Sequence, residues 1–130
     1  MVKSLSRNNL HLLLASLAML LGSTFCILSP VARPALQFLP EKMPEARVGV
    51  PYKVDILITG NVTPVGNYSI SDGALPTGLE LVMDEQLHTA RISGTPQQAG
   101  TFSFTVSVWC YGTNVSGQTG EKKYSLAVGD

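Results

Sequence analysis

Residues 91–110, RISGTPQQAGTFSFTVSVWC, carry the pattern that decides the fold. Phe102, Phe104, Val106 and Val108 take the even positions, and Ser103, Thr105 and Ser107 take the odd ones. Alternation with a period of two puts every apolar group on one side of an extended chain, which marks a strand with one buried and one solvated face. Ahead of it, Ser93-Gly94-Thr95-Pro96 ends one run and Gln98-Ala99-Gly100 lets the chain reverse into the next. Continued along the strand, the even-position rule makes Cys110 a buried, inert thiol and turns Trp109 and Tyr111 outward.

The same period recurs on both sides. Upstream, Tyr52-Lys53-Val54-Asp55-Ile56-Leu57-Ile58-Thr59 places Val54, Ile56 and Ile58 on one face, and downstream Lys123–Val128 alternates again. Thr59-Gly60-Asn61, Ser71-Asp72-Gly73 and Pro76-Thr77-Gly78 read as turns. Strand-like runs fall near 36–39, 45–48, 52–59, 66–71, 79–83, 87–92, 101–111 and 122–128. Short strands at this spacing, without a helical period, predict an all-β, two-sheet sandwich.

Three segments sharpen that expectation. Val48-Gly49-Val50-Pro51-Tyr52, then Gly73-Ala74-Leu75-Pro76-Thr77-Gly78-Leu79-Glu80-Leu81, then Ile92-Ser93-Gly94-Thr95-Pro96-Gln97-Gln98-Ala99-Gly100-Thr101-Phe102 resemble, in this order, the immunoglobulin domain family of bacterial surface proteins, which belongs with the cadherin-like and dystroglycan-type sandwiches. The resemblance covers about residues 40–128. It implies an immunoglobulin-like, cadherin-like β-sandwich of about seven strands on the outside of a bacterial cell. The motifs are scaffold chemistry: Pro76 fixes φ, Gly78 permits a positive φ, and Leu75, Leu79 and Leu81 pin the turn to the core. The resemblance therefore speaks to fold and location more than to a task. One position departs from the family pattern. Where relatives commonly carry an aspartate suited to calcium, this chain has Cys110, a poor ligand for a hard cation. Asp72, Asp84 and Glu85 are scattered over turns.

Residues 10–28, LHLLLASLAMLLGSTFCIL, contain no charged residue and follow Lys3 and Arg7. A basic region followed by an apolar run is the mark of a signal peptide or signal anchor. As a helix the stretch would be about 28 Å long, roughly one hydrocarbon core. Three fates are open: cleavage, retention as an anchor, or lipid attachment at Cys26, for which Phe25 is a poor neighbour. The expected organisation is thus a targeting helix over 1–28, a proline-marked spacer over 29–40 and an Ig-like domain over 41–130. Residues 34–130 carry six Lys/Arg against nine Asp/Glu, a net −3, which disfavours nucleic acid.

Nothing in the chain composes a catalytic constellation. Its histidines are His11, in the targeting stretch, and His88, read as a solvated strand residue beside Thr89. Asp84-Glu85 reads as a solvated hairpin turn rather than an acid/base pair. No Cys/His spacing fits zinc, and with Cys26 in the targeting stretch Cys110 has no partner for a disulfide within the domain. Three sequons, at Asn61, Asn67 and Asn114, would matter only on a eukaryotic secretory route. The expected protein is a non-enzymatic module of the bacterial envelope, in the periplasm or at the cell surface. It needs no cofactor and has the membrane and another envelope protein as partners. Trp109 and Tyr111 are the candidate contact residues, set against a reading in which they cover the sheet edge, pack on the loop or are turned inward by a bulge; calcium binding and glycan stacking on Trp109 are further alternatives.

Overall fold

A computed structural model describes residues 32–114 and 116–130. The targeting stretch, with Cys26, lies outside the described residues. Arg33–Asp130 form one compact unit, built entirely from strands: β1 (Gln37–Leu39), β2 (Ala46–Arg47), β3 (Tyr52–Thr59), β4 (Val65–Gly73), β5 (Leu79–Asp84), β6 (Thr89–Gly94), β7 (Gly100–Cys110) and β8 (Thr119–Gly129). They make two four-stranded sheets, ordered β1-β3-β6-β5 and β2-β8-β7-β4. All pairings are antiparallel except β2 with β8, which is parallel.

The strand count is therefore eight among the described residues rather than about seven. The extra strand arises because the first edge segment is divided between the sheets. Gln37–Leu39 pairs with Leu57–Thr59 in one sheet, and Ala46–Arg47 pairs with Val128–Gly129 in the other. Pro40 and Pro44 lie between them and cannot donate to a ladder, so one continuous strand is unavailable there. β1 falls inside the stretch expected as a spacer, and the ordered fold begins upstream of residue 41.

The alternation read from the sequence becomes the core. Phe38, Tyr52, Ile56, Ala90 and Ile92 from one sheet face Val65, Tyr68, Phe104, Val106, Val108, Cys110, Tyr124, Leu126 and Val128 from the other. Phe104 and Tyr124 are cross-strand partners with ring centroids 6.0 Å apart. Ser71-Asp72-Gly73 is not a turn. It continues β4 through a register shift between Ile70 and Asp72, so the strand absorbs an irregularity without ending.

The family motifs lock to each other. The Thr95 amide donates to the Gly78 carbonyl (3.0 Å) and the Gln97 amide to Thr77 (2.9 Å), while Pro76 and Pro96 are fully buried. Gly78 has φ +95 and Gly94 φ +135, and their backbones approach so closely that a Cβ on either would strike the facing carbonyl. The Gly49 amide joins the same knot through the Pro96 carbonyl (2.9 Å).

Candidate contact surface at one end of the sandwich

Three loops converge at one end. They are the β3–β4 loop (residues 60–64), the β5–β6 turn (residues 85–88) and the β7–β8 loop (residues 111–118). The chain enters the unit at this same end, because Gln37 pairs with Thr59 at the end of β3.

Gln118 organises the end. It is buried, its Nε2 donates to the carbonyls of Pro34 (3.0 Å) and Gly60 (3.1 Å), and its Oε1 accepts from the Val62 amide (2.8 Å). One side chain therefore ties the leading segment, the β3–β4 loop and the β7–β8 loop together, with each bond satisfying a backbone group that the loops leave unpaired. Further bonds tighten the arrangement: the Thr63 hydroxyl donates to the Tyr111 carbonyl (2.6 Å), the Tyr111 amide to Pro64 (3.0 Å) and the Cys110 amide to Gln118 (2.8 Å). Arg33 Nη1 donates to the Ser116 carbonyl (2.6 Å), and Arg33, Thr113, Asn114 and Ser116 line a shallow open depression.

Trp109 and Tyr111 both lie on the outer face of this frame, at 44% and 50% exposure, with ring centroids 5.0 Å apart in an edge-on arrangement. Trp109 is buttressed from below. Gly66 sits in the register shift between Val65 and Asn67, and a Cβ there would collide with the six-membered ring of Trp109. The ring thus covers backbone that a side chain would otherwise occupy. The bulge is on β4, not on β7, so it leaves the alternation of β7 unchanged and both aromatics face outward.

His88 departs from the expected strand position. It has φ +54 and closes the β5–β6 turn, one residue before β6 begins. Its Nδ1 lies 3.1 Å from the Val65 carbonyl, a contact that requires a proton on Nδ1, and its own carbonyl accepts from the Tyr68 hydroxyl at 3.1 Å. It therefore links the turn to β4. Asp84 stabilises the same turn by accepting from the amides of Gln86 and Leu87 at 3.0 Å each.

Of the three acids, Asp84 and Glu85 are neighbours at the β5–β6 turn and Asp72 stands apart from them. Asp72 pairs with Thr105 well down β7, whereas Asp84 pairs with Thr89 beside the loop end. Among the described residues no group of three or more His, Cys, Asp or Glu is arranged to hold a metal ion. Cys110 is buried and burial pushes its thiol up, away from the reactive thiolate form. Gln118 and Gly66 carried no sequence signal of their importance. Gln118 looks like any polar loop residue, and Gly66 could be suspected only as a glycine inside a strand.

In fold, the chain is similar to a point mutant of the SrpA adhesin from Streptococcus sanguinis, with 13% identity over 75% of this chain and 56% of the adhesin chain and a TM-score of 0.52. The titin M3 domain matches with 15% identity, 73% and 97% coverage and a TM-score of 0.46. No curated protein sequence matches significantly. The model of the family described as "Putative Ig domain" matches residues 38–129, and the chain belongs to that family.

Proposed function

We propose that this protein is a non-enzymatic contact module of the bacterial cell envelope, delivered across a membrane by residues 10–28, whose working surface is the loop end bearing Trp109 and Tyr111. The observation that carries this reading is the way the two aromatics are held out. Trp109 rests on a glycine, Tyr111 is bridged to the β3–β4 loop through its backbone, and Gln118 fixes the loops around them. Outward aromatics on a rigid frame give contact area at small entropic cost. Family membership and the charge-free stretch after Lys3 and Arg7 support the location. A fold neighbour is named as an adhesin, which is compatible with a contact role for this chain. Calcium binding has less support, because Asp72 lies away from the Asp84-Glu85 turn and Cys110 offers a thiol to a hard cation.

A photo-crosslinking residue placed at Tyr111, and separately at Val50 on the opposite end, tests the reading in the host. Adducts formed from position 111 and not from position 50 are expected. Equal crosslinking from both positions, or none from 111, contradicts it.

A further inference from the structure

The loop end concentrates exposed apolar side chains. Val62 at the tip of the β3–β4 loop is 59% exposed and Leu87 in the β5–β6 turn 67%, beside the half-exposed Trp109 and Tyr111. At the other end Val50 stands without such company. The charges carried by the described residues of these loops and of the leading segment are few: Arg33, and Glu85 beside Asp84, whose carboxylate is occupied by two backbone amides. Among the described residues of this end, Arg33 is the one Lys or Arg, which gives an anionic polymer little to hold. The chain enters the unit at this end, with Arg33 and Pro34 both hydrogen-bonded to the β7–β8 loop. Only residues 29–32 separate that point from the charge-free stretch 10–28. Four residues reach at most about 14 Å.

We infer that this end rests on the interfacial layer of a lipid bilayer, with Trp109 and Tyr111 at the headgroup level and Val62 and Leu87 entering beneath it. The inference rests on the proposed reading, with residues 10–28 retained in the membrane. Trp and Tyr favour this layer because each has an apolar body and a polar tip. Two aliphatic tips and two aromatics make a weak membrane ligand alone. A tether of a few residues makes the contact intramolecular and supplies a high effective concentration. Because the surface is apolar and nearly uncharged, the contact is insensitive to salt, unlike one built on lysines.

Trp109 is the single tryptophan of the chain and reports directly. The full-length protein is reconstituted into phosphatidylcholine vesicles with either ordinary or brominated acyl chains, and flotation is measured alongside fluorescence. The expected result is that the protein floats and that brominated lipid removes about half of the Trp109 emission, with no change between about 0.1 M and about 1 M salt. The double variant Val62→Asp/Leu87→Asp alters only exposed tips and should weaken the quenching about twofold while flotation persists. Floated protein with Trp109 unquenched and open to aqueous acrylamide overturns the lipid contact and leaves the anchor standing. Protein that does not float overturns both. Shielding of Trp109 that grows with protein density, without quenching by brominated lipid, overturns the inference in favour of self-association. Quenching unaffected by the double variant overturns the assigned surface.

Discussion

Tyr68 and Tyr124 show how single residues tie the sandwich together. Both are buried, and their hydroxyls donate to the carbonyls of His88 and Pro40. Burial pushes each phenol from its ordinary value of 10.0 up to about 12. In the unfolded chain the phenols ionise as pH passes 10, whereas in the folded chain they stay neutral until about 12. Stability from this source is therefore complete below pH 10 and falls between 10 and 12, by about 1 kcal/mol per tyrosine at about pH 11. Denaturant titrations on either side of pH 10 measure the slope, and Tyr68→Phe with Tyr124→Phe should flatten it. Gly66 holds Trp109 in place through its missing side chain. In Gly66→Val the new side chain must displace the Trp109 ring, which can swing into solvent, so the cost is about 1 kcal/mol with a red shift in Trp109 emission. Unchanged emission would contradict the stacking. The outward direction of Trp109 and Tyr111 was legible from alternation alone. The roles of Gly66 and Gln118 were not, because their partners lie about forty to eighty positions away in the sequence and no local pattern encodes them.

At the scale of elements, the two turn motifs behave as one unit. Gly78 and Gly94 meet back to back, and the Thr95 and Gln97 amides cross between them. Gly78→Ala combines a φ of +95 with a clash against the Thr95 carbonyl, so its cost exceeds about 1 kcal/mol and shows as a lower midpoint in thermal or denaturant unfolding. Each motif could be read separately as a turn, since Gly and Pro punctuate locally. That the turns grip each other is a matter of tertiary register. The same limit explains Ser71-Asp72-Gly73, whose residues suit a turn but which β7 holds as a bulged strand. It also explains the first edge segment, where prolines announced an interruption without saying that the two halves join different sheets.

For the whole molecule, the fold class followed from patterning because one face of each long strand pointed to the same core. Function was less legible, since a sandwich of this kind is a frame on which contact surfaces vary. What the structure adds is direction: the aromatic loop end is the end at which the chain enters the unit, and β8 ends at the other. On the proposed reading this frame works outside the cytoplasm. The most direct test fuses alkaline phosphatase, which is active only after export, to the C-terminal side of residues 1–130. The account predicts phosphatase activity that is lost when residues 8–30 are deleted. An inactive fusion, present at full length and folded inside the cell, would contradict it.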